Sequence, residues 1–136
     1  MAHPIQELQT KIVAALAADI ALTDIIGING IFDLPPKGKS GSYLVLGPHD
    51  VLSRDADIAL GNEHRLQIRG WTPQPNRADA LMLAERVVSV LTSTDLSSAL
   101  LKVTHVHHRR TDSAVDLKTG RANANISFLV HSEPSI

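Results

Sequence analysis

Cysteine is absent from the 136 residues, which excludes disulfides and thiolate metal sites and suits a reducing compartment. Aromatic residues make up 3% of the chain, so the core has to be built from aliphatic side chains. No apolar run reaches the roughly 18 residues needed to cross a bilayer, and no basic segment followed by an apolar run opens the chain. The expectation is a soluble protein made in a cytoplasm. A net charge of −1 gives no overall attraction to nucleic acid or to an acidic membrane. Catalytic signatures are missing too. No nucleophile sits in a recognisable elbow, and Glu63 and Glu85 stand in no acid–base pattern. Lys37-Gly38-Lys39-Ser40-Gly41 leads toward a strand, where a phosphate loop would open a helix.

What is present is one domain, residues 1–136, with 43% apolar side chains and enough length to bury about 70% of its unfolded surface. The organising stretch is Gly61–Leu91. His64, Leu66 and Ile68 alternate with Arg65, Gln67 and Arg69, the period of a strand with one buried face. Gly70-Trp71-Thr72-Pro73-Gln74-Pro75 ends it, because neither proline can donate to a ladder. Trp71, just before that turn, reads as a core plug rather than a binding anchor. Asn76 follows as a helix N-cap with Asp79 three residues on, where a carboxylate favours the positive helix end. Ala80, Ala84, Val87 and Leu91 then recur at helical spacing, widened by Leu81 and Val88. The two alanines allow a close approach to a sheet.

Upstream, Pro4 suits a first helical position. Ile5, Leu8, Ile12 and Leu16 form a stripe that Val13 and Ala17 extend, with Glu7 and Lys11 as an i,i+4 pair on the other side. The helix should end near Asp19, with one further turn capped by Thr23 and closed by Gly27. Ile31–Asp33 reads as a short strand and Lys37–Gly41 as a flexible loop. Tyr43–Leu46 is an unbroken apolar strand closed by Gly47-Pro48, a pattern that suggests burial on both faces. His49–Leu60 reads as an irregular polar loop. Its Asp50, Asp55 and Asp57 lack the spacing of a calcium loop. Leu96, Ala99 and Leu100 should pack beneath a connector, and Leu101–Arg110 and Ala122–His131 should pair antiparallel across a polar connection, Asp112–Arg121. Ala124, Ile126, Phe128 and Val130 share one face of the last strand. The expected fold is α+β, a mainly antiparallel sheet of four or five strands with two helices packed on one face. Arg65, Gln67 and Arg69 then point to the opposite face, which the chain leaves without a cover.

His105, His107 and His108 form the most conspicuous polar cluster, with His105 and His107 on one face of a strand. Three readings are open: a metal site completed by His131 or Asp112, an interface sensitive to pH, or a plain exposed surface. Lys102 to Arg121 holds five basic and two acidic residues, including Arg109-Arg110. That excess suits a phosphate or an acidic protein surface, but no aromatic side chain is interleaved for base stacking. Residues 1–60 hold four basic and seven acidic side chains, and residues 101–136 five basic and three acidic. The plain reading is scatter over a solvated surface, and the dipole also suits head-to-tail self-assembly.

Several features in order carry a resemblance: an N-terminal helix followed by Gly27-Ile28-Asn29-Gly30-Ile31-Phe32-Asp33-Leu34-Pro35-Pro36, then Ser42-Tyr43-Leu44-Val45-Leu46-Gly47, the His64–Trp71 strand, the helix from Asn76, and a closing hairpin. Over nearly its whole length the chain resembles the tail-completion, or tail-terminator, family of long-tailed bacteriophages and gene transfer agents. Ser42 stands where the family more often has proline. The resemblance implies a structural virion protein, not an enzyme, with no cofactor, no metal and no membrane partner. It implies a homo-oligomer, usually a hexameric ring, on the head-proximal end of the tail tube, where it ends tube polymerisation and joins the tail to the neck. The partners implied are the tail tube protein and a head–tail connector or stopper, with DNA passing through the lumen without specific binding. Arg65, Gln67, Arg69, His105, His107, Arg109 and Arg110 are the candidate lumen or subunit-interface residues. The loops Pro36–Gly41, His49–Leu60 and Asp112–Gly120 are expected to contact neighbours. The alternatives are another head–tail connector such as a stopper, a metal-dependent hydrolase using His105, His107 and His131, and a small dimeric ligand-binding module.

Overall fold

The first helix, α1 (Pro4–Ala18), opens with Pro4 at its first position and His3 as N-cap, whose Nδ1 accepts from the Ile5 N–H at 3.1 Å. It buries Leu8, Ile12 and Leu16 as their spacing predicts, while Ala17 stays exposed. Glu7 serves another element, its carboxylate accepting from Ser98 Oγ at 3.1 Å. The next turn differs from the sequence expectation. A second helix, α2 (Ile20–Ile26), is capped by Asp19 and not by Thr23, the Asp19 carboxylate accepting from the Leu22 N–H at 2.9 Å. Aspartate is the stronger N-cap and stands earlier, so the helix starts there. Gly27, at φ +81°, closes it as expected.

The computed structural model describes residues 3–55 and 60–134. Within them lie five strands: β1 (Ile31–Phe32), β2 (Tyr43–Asp55), β3 (Leu60–Thr72), β4 (Leu101–Val115) and β5 (Ala122–Pro134), with helix α3 (Arg77–Ser93) between β3 and β4. They form one sheet in the order β1-β2-β3-β5-β4, antiparallel except for the β1–β2 pair. The fold is α+β as the pattern implied, with three helices where two were expected. His49–Asp55 is strand and not loop. The ladder slips between Leu46 and His49, where Pro48 has no N–H to donate, and resumes beyond it as a bulge. Asp57 of the acidic trio lies outside the described residues. β4 likewise runs on to Val115, which shortens the expected 112–121 connection to a turn after that residue.

All three helices cover one face of the sheet, where Leu44, Leu66, Ile68, Ala124, Ile126, Phe128 and Val130 meet the helical side chains in one aliphatic core. The cap of α3 is Asn76, whose Oδ1 accepts from the Ala78 N–H at 2.9 Å. This helix buries Ala80, Leu83, Ala84, Val87, Val90 and Leu91, so its apolar stripe leans to the Leu83 side and leaves Leu81 40% exposed. Gly70 makes the close approach possible, since a Cβ there would lie 2.8 Å from Leu83 Cδ2. Leu96 is buried beneath the α3–β4 connector, but Ala99 and Leu100 are exposed.

Tyr43, Leu44 and Val45 are all buried, as a two-sided apolar strand requires. Trp71 is not a core plug: it stacks half-buried on Tyr43, ring centroids 6.5 Å apart, on the side of the sheet away from the helices, beside Arg69 and Asn125. The Lys37–Gly41 segment, expected to be free, is tethered. The Arg121 guanidinium donates to the Lys39 carbonyl at 3.1 Å and the Gly41 carbonyl at 2.5 Å, and lies 5.1 Å from the Tyr43 ring centroid.

Candidate interaction face

The side of the sheet away from the helices gathers the candidate residues. Period-two alternation sends Arg65, Gln67 and Arg69 of β3 outward, and the register sets Arg65 against Asp50 and Leu129, Gln67 against Ser127, and Arg69 against Val45 and Asn125. β4 follows with His105 opposite His131, His107 opposite Leu129, and Arg110 opposite Ser127. Its bulge between His108 and Arg110 turns Arg109 onto the same side, where it helps line a depression of about 630 Å³ with Pro48, Asp50, Arg65, Gln67 and Leu129. All seven sequence-predicted residues therefore share one face. His108 goes the other way, toward Phe128 and Thr111.

Charge on this face is mixed. Arg65 pairs with Asp50 at 3.3 Å and Arg110 with Asp112 at 3.4 Å. Gln67 Oε1 accepts from Asn125 Nδ2 at 3.1 Å. The Gln67–Asn125 bond is half-buried, whereas the two ion pairs are largely exposed and each contributes little to stability, on the order of 0.5 kcal/mol. Their effect is to neutralise the arginines locally without hiding them. The rings of His105, His107 and His131 sit in a triangle with centroids 5.5, 6.2 and 5.8 Å apart. Among the described residues no group of three or more His, Asp and Glu is arranged to hold a metal ion. The face thus offers hydrogen-bonding and charged groups and, beside them, a small, mostly apolar hollow of about 150 Å³ lined by Val45, Pro48, Gln67, Arg69, Trp71 and Asn125.

A second histidine group lies on the helix side, and sequence reasoning missed it. Gln9 Nε2 lies 3.3 Å from His49 Nδ1, His49 Nε2 lies 2.9 Å from His64 Nδ1, and His64 Nε2 lies 3.1 Å from Ser132 Oγ. An amide nitrogen can only donate. His49 Nδ1 must therefore accept, its Nε2 carries the proton and donates to His64 Nδ1, and His64 Nε2–H donates to Ser132. One set of neutral tautomers satisfies the whole chain, which links α1, β2, β3 and β5. Burial pushes both imidazoles down to about 4, helped for His49 by the neighbouring His64 and for both by His3, with Asp50 opposing at His49. The available signal was the period of β3, which puts His64 on the buried face beside Leu66. His49 gave none, because its segment read as a loop.

The helical layer is tied by Arg86, whose guanidinium donates to both Asp19 oxygens at 2.7 and 2.5 Å. That contact holds the start of α2 on α3 and depresses the Asp19 carboxyl below its usual range.

Comparison with known proteins agrees with this architecture. Residues 10–130 match the model of the family described as tail completion protein gp17. A chain from the structure "Virion of native gene transfer agent (GTA) particle" superposes with a TM-score of 0.82 at 24% identity, covering 97% of this chain and 99% of that one. No curated protein matches the sequence. The family match spans most of the chain, and the fold is shared with a particle component. The chain belongs to the tail completion protein gp17 family and is a structural tail protein, not an enzyme.

Proposed function

We propose that the protein is a tail terminator: a ring, hexameric as is usual in the family it resembles, that caps the head-proximal end of a tail tube inside a virion or phage-like particle. In that place it stops addition of tube subunits and presents its other side to the connector or stopper of the neck. The observation that carries this reading is the uncovered sheet face. Five strands are covered by helices on one side alone, and the other side displays Arg65, Gln67, Arg69, His105, His107, Arg109 and Arg110 among carboxylates and amides. A polar face of near-neutral balance suits the wall of a lumen through which DNA slides, because a strongly basic wall would hold the phosphates. It equally suits the side of a neighbouring subunit. A fold relative within a gene transfer agent virion supports a place in a phage-like particle.

Since β2 and β4 run further than expected, the docking elements reduce to hairpin ends and the Pro36–Gly41 segment. Negative-stain images and native mass of the purified protein, alone and with tail tubes, test the reading. Rings, or end-on caps on tubes that stop growing, are the expected result. A protein that stays monomeric and leaves tube growth unchanged overturns it.

A further inference from the structure

The β4–β5 turn is rigid and carries an apolar side chain outward. The Asp116 N–H donates to the Arg121 carbonyl at 2.8 Å and the Gly120 N–H to the Asp116 carbonyl at 2.8 Å. The Lys118 N–H donates to Asp116 Oδ1 at 2.9 Å and the Arg121 N–H to Thr119 Oγ1 at 3.2 Å. Gly120, at φ +71°, lets the chain turn back into β5. A turn fixed by its own hydrogen bonds loses little conformational freedom on docking. At its tip Leu117 is 97% exposed, more than any other large apolar side chain among the described residues. Nothing within the subunit uses it.

On the helical layer, the outer side of α3 holds a shallow groove of about 640 Å³ lined by Ala78, Leu81, Met82, Glu85, Arg86 and Ser89. Met82 is 67% exposed. Arg86 is already committed to Asp19, so the groove is an apolar strip with one carboxylate, Glu85, beside it.

We infer that Leu117 of one copy seats in the α3 groove of the next, with Lys118 set against Glu85. The inference rests on the ring reading above and names the contact that would build it. Charge complementarity selects a second copy as the occupant. Residues 101–134, the hairpin, hold five basic and three acidic side chains, whereas residues 4–26 and 77–93, the helical layer, hold three basic and five acidic ones. Hairpin on hairpin, or helix layer on helix layer, brings like charges together. Hairpin on helix layer brings opposite charges together and leaves each copy with one free knob and one free groove. That is a heterologous contact, which, repeated from copy to copy, builds a ring when its rotation closes.

The absence of cysteine makes the test clean. Leu117→Cys and Met82→Cys are introduced together and treated with a short thiol-to-thiol crosslinker. The control pairs Leu117→Cys with Thr10→Cys on the exposed side of α1. All three positions are at the surface, and circular dichroism confirms that the variants fold. The expected result is a ladder of covalent oligomers from the Leu117/Met82 pair, at least tenfold stronger than from the control pair. A ladder no stronger than the control overturns the inference. If rings are still seen by microscopy in that case, the ring reading stands and this contact alone is wrong. If neither rings nor a ladder form, both fail. Leu117→Asp separates the remaining occupant: loss of rings supports the contact, whereas intact rings that no longer cap tubes assign the tip to the tube protein and overturn it.

Discussion

Two groups of histidines lie on opposite sides of the same sheet, and they are held in opposite ways. His49 and His64 sit beneath the helices in a one-directional chain of hydrogen bonds, with His64 fully buried. On the uncovered side His105 and His107 stand exposed beside a half-buried His131, with ring centroids about as close as those of the buried pair, 5.5–6.2 Å against 5.1 Å. Proximity of imidazoles therefore says nothing about their role. The buried pair has its partners fixed, so it is a structural staple. The trio on the uncovered side meets ring against ring, so substitutions there should leave the fold of the subunit intact.

The largest effect should follow from breaking the staple. His64→Ala removes a side chain with no exposed surface and leaves His49 Nε2–H and Ser132 without their partner. A cavity together with unsatisfied polar groups costs on the order of 4 kcal/mol. Urea denaturation should show a lower midpoint at unchanged slope. A loss under about 1 kcal/mol would mean that the chain of hydrogen bonds is ornamental and that the two groups differ less than their burial suggests.

Acid should act on the same staple. The folded protein holds His49 and His64 at about 4, below the ordinary 6.5. Between those values the unfolded chain binds protons that the native state refuses. Stability is therefore full above pH 6.5, falls as pH is lowered toward 4, and levels off below it with respect to these two groups. For His64 alone the loss is on the order of 3 kcal/mol. The structural reason is the tautomer chain: a second proton on either ring lands on a nitrogen that has to accept. Imidazole proton signals of His49 and His64 should stay at their neutral positions down to pH 5. Titration of either near 6.5 in the folded protein would remove the distinction between the two groups.

Gly70 tests the layer above the staple. Gly70→Ala drives a methyl into Leu83, and overpacking of this kind costs about 2 kcal/mol. Thermal melting should register a clear drop, and Gly70→Ala combined with Leu83→Val should recover part of it. Equal stability of Gly70→Ala and the native chain would show that α3 sits less tightly on the sheet than its contacts indicate.

Much of this was legible in the sequence wherever a local period was strong. β5 alternates without a break, so both of its faces could be assigned, and β3 assigned its outward arginines in the same way. Asn76 and Pro4 marked helix starts through chemistry that works over one turn. The losses occurred where the deciding partner is remote. His49 looked like loop because Pro48 interrupts the strand locally, while the ladder that restores it comes from β3. The staple joins residues 9, 49, 64 and 132, a grouping that no spacing rule contains. Leu81 and Leu83 are both compatible with a helical stripe, and the bare Gly70 beneath decided between them. The uncovered face was deducible from its arginines, but its pairing of Arg65 with Asp50 needed the extended β2.

The smallest expected effect on stability is on the histidine trio of the uncovered side. His107→Ala removes an exposed ring that touches the rings of His105 and His131 and solvent, so the isolated subunit should change by about 0.5 kcal/mol or less. The comparison sharpens when stability and assembly are measured on the same variant. If the uncovered face is a lumen wall or a subunit contact, the triple variant His105→Ala, His107→Ala, His131→Ala should melt with the native chain and yet alter ring yield or the rate at which tubes are capped. A melting temperature that falls with each successive substitution would place these rings in the subunit's own packing. A variant that both melts and assembles like the native chain would leave the arginines, Arg65, Arg69, Arg109 and Arg110, as the part of the face that meets a partner, and charge reversal at Arg109 would then be the substitution to compare with His64→Ala.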